Sequence, residues 1–186
     1  MIQSDGPIAM QVEPWHEYAI PPIEGWMSTK EMRFLYDTAK EMDSIVELGS
    51  WCGRSTHALA SGCKGTVYAV DHWNGSDGDP TQEIARQNDM FKIFSNNMRD
   101  FSNVKVRRGF AHDISTEFDS VDMVFIDAGH LYQECKRDIE DWLPKTRKLL
   151  CGHDYYSFAG VNRAVDEMFG KPDGVCETIW YKRIGV

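Results

Sequence analysis

The sequence predicts an α/β fold: a single doubly wound, mostly parallel sheet with helices on both faces, in one domain over residues 1–186. Three observations predict it. Short apolar runs alternate with stretches of helical spacing from residue 28 to the C-terminus. The first run, Ile45-Val46-Glu47-Leu48, ends beside an acid and passes through Gly49 and Gly53 directly into a helix. A second run, Thr66-Val67-Tyr68-Ala69-Val70, closes on Asp71. A strand, a glycine turn, a helix and an acid-tipped second strand build a nucleoside pocket at the carboxyl edge of a parallel sheet.

Each element has its own signal. Residues 1–27 carry Pro7, Pro14, Pro21 and Pro22 among the aromatics Trp15, Tyr18 and Trp26, and read as an irregular segment lying across the domain. Ser28-x-x-Glu31 is a capping box. Met32, Leu35, Tyr36, Ala39 and Met42 then recur at helical spacing and face the core. A strand at 45–48 is followed by a helix at 54–61, a turn flanked by Gly62 and Gly65, and a strand at 66–70. Residues 72–80 are loop by composition, and one helix is expected from Gln82 to Met98. Strands follow at 104–107 and 121–126. A helix from Tyr132 to Arg147 places Tyr132, Cys135, Ile139, Trp142 and Leu143 on one face. A strand at 149–152 stops at His153-Asp154. Val161, Ala164, Val165, Met168 and Phe169 mark a further helix, and 178–181 a final strand. There is no internal repeat.

Composition narrows the partners. The 186 residues are 42% hydrophobic and 26% charged, which suits one domain with a full core. A net charge of -9 argues against a nucleic-acid groove. Lys105, Arg107 and Arg108 read as a solvated strand end. No apolar run approaches eighteen residues, so no membrane partner is expected. Met1–Pro7 lacks the basic start and apolar core of a signal peptide. The odd set Cys52, Cys63, Cys135, Cys151 and Cys176 suits reduced thiols in the cytoplasm. Cys52 reads as a small structural residue in the glycine turn. The aromatics near the N-terminus are compatible with a homodimer.

The turn reads Gly-x-x-x-Gly, without the third glycine of the dinucleotide fingerprint. Trp51 fills its middle and Glu47 stands before it. Bulk and negative charge suit a pyrophosphate poorly. They suit S-adenosylmethionine, which is cationic at its amino group and sulfonium and carries no phosphate. Asp71 is placed to accept from ribose hydroxyls. An ordinary strand-to-helix turn is the other reading of these residues.

Four strand ends carry polar groups that can converge: Glu47, Asp71, Asp127 and His153-Asp154. His130 follows Asp127 by three residues. Acids with neighbouring histidines suit a hydroxylated small-molecule substrate. Methyl transfer from a sulfonium is an in-line displacement, so the acceptor must lose its proton and sit in near-attack geometry. A neutral histidine titrates in the right range for that base. A divalent cation on Asp127 and Asp154 would acidify the acceptor. Structural readings stand beside these. Asp127 and Asp113 can cap helices, His130 can be a solvated loop residue, and His153-Asp154 can end a strand and cap a turn. His112 reads as an adenine contact or a loop residue. His16, His57 and His72 carry no motif.

The segments Glu47-Leu48-Gly49-x-x-Cys52-Gly53-x-Ser55, Gly109-x-Ala111-x-Asp113-Ile114 and Asp122-Met123-Val124-Phe125-Ile126-Asp127 resemble class I S-adenosylmethionine-dependent methyltransferases. More narrowly, Gly25-Trp26-Met27-Ser28 and Gly152-His153-Asp154-Tyr155 resemble a group of small bacterial enzymes that is also similar to catechol O-methyltransferase and macrolide-sugar O-methyltransferases. The resemblance covers most of residues 26–182. It implies that Glu47, Gly49 and Ser55 line the methionine end of the cofactor, that Asp71 holds the ribose, and that Ala111 and His112 border the adenine. Ser50, Trp51, Gly53 and His72 are counted with this set by position, and Asp127 with both cofactor and catalytic residues. It further implies Asp127, His153 and Asp154 as metal ligands and His130 as the base, where the catechol enzyme has an Asp-Asn pair and a lysine. A histidine ligand is softer than Mg²⁺ prefers. Mg²⁺, Mn²⁺ or another transition ion, a turned-away His153, and a metal-free site all remain open. The expected activity is O-methylation of a small hydroxylated molecule. The alternatives are a nucleotide-dependent oxidoreductase or hydroxylase on this fold, and a non-catalytic binding protein.

Overall fold

Ser28 opens the first helix, α1 (Thr29–Ala39), through the predicted capping box. Its hydroxyl accepts from Glu31 N–H at 3.1 Å, and the Glu31 carboxylate accepts from Ser28 N–H at 2.9 Å. The computed structural model describes residues 17–76 and 79–185. The expectations for residues 1–16, including Trp15, His16 and the leader segment, lie outside these, as do Asp77 and Gly78. After α1 come β1 (Ser44–Leu48), α2 (Arg54–Gly62), β2 (Thr66–Asp71), α3 (Pro80–Gln87), α4 (Met90–Asn97), β3 (Val104–Arg108) and α5 (Ala111–Ser115). The second half runs β4 (Val121–Ile126), α6 (Tyr132–Trp142), β5 (Thr146–Gly152), α7 (Ala159–Phe169), β6 (Gly174–Cys176) and β7 (Ile179–Arg183).

The strands form one sheet in the order β3-β2-β1-β4-β5-β7-β6. The first five in that order are parallel; β7 runs antiparallel to β5 and pairs with β6 as a hairpin. Leu48 is in register with Val70 on one side and Ile126 on the other, so β1, β2 and β4 end level. The connections leave β1 and β4 in opposite directions, which opens a crevice at their carboxyl ends. Successive residues of a strand face opposite layers. Ile45, Met123, Phe125 and Cys151 pack with Met32, Leu35 and Leu59 on one face. Val46, Leu48, Val124 and Leu150 pack with Ile139, Trp142, Ala164 and Val165 on the other. Covered on both sides, β4 is buried throughout its length. No helix among the described residues is long and apolar enough to cross a membrane.

Four expectations needed correction. The stretch 82–98 is two helices, because Asp79 and Asp89 each cap a helix start, accepting from Thr81 N–H at 2.8 Å and Lys92 N–H at 3.0 Å. Local aspartate bonds of this kind compete with a continuous helix. The helix from Tyr132 stops at Trp142. Pro144 follows in a 3₁₀ turn, and β5 starts at Thr146, before the apolar run that signalled it. Asp113 lies inside the short α5, whose N-cap is Phe110, so it is not the cap. Three-residue β6 was too short to signal itself, yet it completes the terminal hairpin.

Candidate functional site

The glycine turn is held by main-chain contacts from both neighbouring strands. Gly49 has φ 84° and donates to Val70 O at 2.9 Å, while Asp127 N–H donates to Leu48 O at 2.8 Å. A Cβ on Gly49 would sit 2.0 Å from the Asp127 carbonyl oxygen, so only glycine fits where β1 passes β4. Asp71, at the tip of β2, pins the turn. Its Oδ2 accepts from Ser50 and Trp51 N–H at 2.9 and 2.8 Å, and its Oδ1 from Trp73 N–H at 2.6 Å. Oδ2 is filled by its two donors, but Oδ1 keeps a further lone pair, and Asp71 still lines the cavity.

Glu47 and Gly53 do not line that cavity. Glu47 is fully buried beneath the turn. One oxygen accepts from the Ser50 hydroxyl at 2.7 Å and from Thr56, while the other has no partner. Burial raises its pKa to about 7 against the pull of the hydroxyls of Ser55, Thr56 and Ser50. Gly53 instead makes room for Met98 and Phe94.

A cavity of about 940 Å³ runs along the carboxyl ends of the strands. Gly49, Ser50, Trp51, Ser55, Asp71, His72, Ala111 and His112 border it. Asp127, His130, His153 and Asp154 border the same cavity. The predicted site residues other than Glu47 and Gly53 are therefore brought together. His112 Nδ1 lies 2.8 Å from Asp141 Oδ2, and the His72 ring centroid 4.8 Å from that of Phe110. Arg54 reaches back to carbonyls of the N-terminal segment, donating to Met27 O at 3.0 Å and Ile23 O at 2.6 Å.

The acid–histidine centre is tight. Ligand atoms of Asp127, His153 and Asp154 all lie within 4.8 Å of one another. His153 Nδ1 is 3.5 Å from Asp127 Oδ1 and 3.3 Å from Asp154 Oδ2. Its Nε2 is 3.3 Å from Glu31 Oε1, an ion-pair separation that falls short of hydrogen-bond geometry. Burial disfavours a charged His153 ring, but Asp127, Asp154 and Glu31 overcome it and push its pKa up to about 12. His130 Nε2 lies 3.1 Å from Asp154 Oδ2, and that contact raises the His130 pKa. The His130 ring stacks on Phe158 at 4.1 Å and 4°. Three carboxylates around one imidazole call for positive charge. Two aspartates and a histidine fit a divalent transition cation better than Mg²⁺, which prefers oxygen alone.

Glu31, Thr178 and Asp138 are among the cavity residues that the sequence did not single out. Glu31 was visible only as half of a capping box, and Thr178 only as the start of a strand. Asp138, on α6, lines the cavity at 8% exposure. Burial, with Asp141 and Glu134 nearby, lifts its pKa to about 7. Its spacing from Cys135, Ile139 and Trp142 on the buried face was the available signal.

A family model described as a methyltransferase domain matches residues 46–155. The chain is 33% identical over 122 residues to the uncharacterized protein y4gI of Sinorhizobium fredii; the match takes in 59% of this chain and spans 13% of that relative's length. Solved structures share the fold. An O-methyltransferase from Bacillus cereus in complex with SAH aligns at TM-score 0.60 and 20% identity, over 82% of this chain and 74% of that one. The O-methyltransferase TomG of Streptomyces achromogenes, with SAM, aligns at 0.63 and 16%, over 86% and 82%. CalS11, a TDP-rhamnose 3'-O-methyltransferase of calicheamicin biosynthesis, aligns at 0.57 and 15%, over 83% and 77%. The matched span contains the glycine turn, Asp71, Asp127, His130 and His153-Asp154, and the chain belongs to this methyltransferase-domain family, with the fold of S-adenosylmethionine-dependent O-methyltransferases.

Proposed function

We propose that this chain methylates a hydroxyl of a small molecule with S-adenosylmethionine as donor. One observation carries the reading: a single cavity joins the Asp71-pinned glycine turn to the Asp127, His130, His153 and Asp154 centre. When bound, S-adenosylmethionine supplies an electrophilic methyl on a sulfonium, and a divalent cation supplies Lewis acidity that acidifies the acceptor. Asp127, His153 and Asp154 would hold that cation. The Gly49–Trp51 backbone and Ser55 would face the methionine end, with Asp71 accepting from the ribose and Ala111 and His112 bordering the adenine. A cation above Glu47 favours loss of its proton, and the carboxylate would then set negative charge beneath the cationic end. His130 takes the hydroxyl proton at a ring nitrogen, and Asp154 steadies the imidazolium that forms.

The walls favour an uncharged or cationic acceptor. Glu24, Asp79 and Glu177 line the cavity together with the acids already named. The two arginines lining it among the described residues are engaged: Arg54 by main-chain carbonyls, and Arg137 by Asp141 at 3.9 Å. A phosphorylated acceptor would meet repulsion there. The described cysteines are free thiols, which suits a reducing cytoplasm as the place of action.

Isothermal titration with the demethylated donor tests the cofactor half, and a chain that binds neither form of it is no methyltransferase. Transfer from labelled donor to neutral phenols and polyols, with and without chelator, tests the rest. Activity that survives chelation would remove the cation from the scheme.

A further inference from the structure

Glu31 has one oxygen more than its capping box uses. Oε2 accepts from Ser28 N–H at 2.9 Å and closes the start of α1. Oε1 turns toward the cavity, where it accepts from Thr178 N–H at 3.0 Å and the Thr178 hydroxyl at 2.6 Å. The same Oε1 lies 3.3 Å from His153 Nε2, an ion-pair separation that a small turn of the ring would convert into a hydrogen bond shared with the Thr178 donors. Glu31 is 3% exposed, and Thr178, in the loop between β6 and β7, locks it from the C-terminal hairpin. The ring nitrogens of His153 thus face different partners. Nδ1 faces Asp127 and Asp154, and Nε2 faces Glu31.

An imidazole that holds a cation through one nitrogen carries its proton on the other. A carboxylate receiving that proton fixes both tautomer and ring plane, and its loss typically costs 10–100-fold in metal affinity. We propose that Glu31 is the positioning carboxylate of the Asp127–His153–Asp154 centre: it takes the Nε2–H of neutral His153 and so presents the Nδ1 lone pair to a divalent transition cation shared with the two aspartates. The proposal rests on the cation reading given under Proposed function. It adds that helix α1 and the terminal hairpin, both outside the family-matched span, set the metal affinity of the centre.

The test is Mn²⁺ binding, read by the loss of the free-ion electron paramagnetic resonance signal, with binding of the demethylated donor as the check on folding. The wild type binds Mn²⁺. Glu31→Ala weakens that affinity roughly 10–100-fold and leaves donor binding intact. Glu31→Gln, whose amide oxygen still accepts from Nε2–H, recovers most of it. Ser28→Ala separates the capping role, because it damages the α1 cap and spares Oε1; it keeps wild-type Mn²⁺ affinity. Unchanged affinity in Glu31→Ala, or an equal loss in Ser28→Ala, overturns the role of Glu31 and leaves the cation reading standing. A wild type blind to Mn²⁺ overturns both, with a charged His153 bridging the carboxylates in the cation's stead. Histidine ¹⁵N resonances of the Zn²⁺-loaded wild type decide the matter without any variant. Protonated Nε2 with metal-bound Nδ1 supports the proposal, and the opposite tautomer overturns it.

Discussion

His130 and Glu47 show what burial and neighbours do to single side chains. His130 is stacked on Phe158 and held by Asp154, so its ring is oriented before any acceptor arrives. His130→Ala is expected to lower kcat about 10²- to 10⁴-fold and to leave affinity for the demethylated donor unchanged. Equal turnover in the variant would remove the base. Burial holds the pKa of Glu47 at about 7 in the fold, well above that of a glutamate in the unfolded chain. A raised carboxyl pKa means that the folded state binds the proton more tightly than the unfolded chain does. The resulting stability is fully present below about pH 4.5 and is lost as pH rises through about 7, by about 3 kcal/mol in all. Glu47→Gln stays neutral and escapes that loss. Its melting temperature should therefore gain on the wild type between pH 5 and 8, and parallel melting curves would show that Glu47 is already ionised. Glu47 was legible as an acid at a strand end. That it sits under the turn with one oxygen unpartnered was not, because the packing of Ser50 and Thr56 over it involves residues on two further elements.

At the scale of elements, glycine positions and caps decide where chains cross and helices start. Gly49→Ala would drive a methyl group into the Asp127 carbonyl at a left-handed φ of 84°. Neither strand can yield without losing sheet bonds, so a loss of about 3 kcal/mol is expected in urea unfolding. A wild-type midpoint would mean that the two strand ends are looser than described. Asp89→Ala removes the cap of α4 and should cost about 1 kcal/mol; no change would favour the single long helix that spacing suggested. The strands other than β6 and the helix at 54–62 were legible because apolar periodicity is local. The break at Asn88-Asp89 and the early start of β5 were not. The first turns on which of several polar side chains folds back onto its own backbone. The second turns on Arg147 and Lys148 joining the amino end of an interior strand while pairing with Asp122 at 2.8 and 3.1 Å.

Over the whole molecule, level strand ends bring distant residues to one cavity. Saturating demethylated donor at a hundredfold over its Kd should stabilise the fold by about 2.7 kcal/mol. A melting temperature indifferent to it would mean that the crevice is not the donor site. The candidate site was legible where acids and glycines fall at strand ends, since topology alone sends those ends to one edge. Glu31 and Thr178 join it from an N-terminal helix and a C-terminal hairpin, and nothing local in either segment reports that meeting.

Short-range periodicity and residue type suffice to read the alternation of strands and helices, the glycine turn, and the acids and histidines that tip the strands. That Asp71 pins the turn, that Glu47 lies sealed beneath it, and that three carboxylates surround His153 emerges from the assembled fold. Those outcomes depend on which side chains from separate elements share one volume, and close packing settles that only when the sheet has assembled.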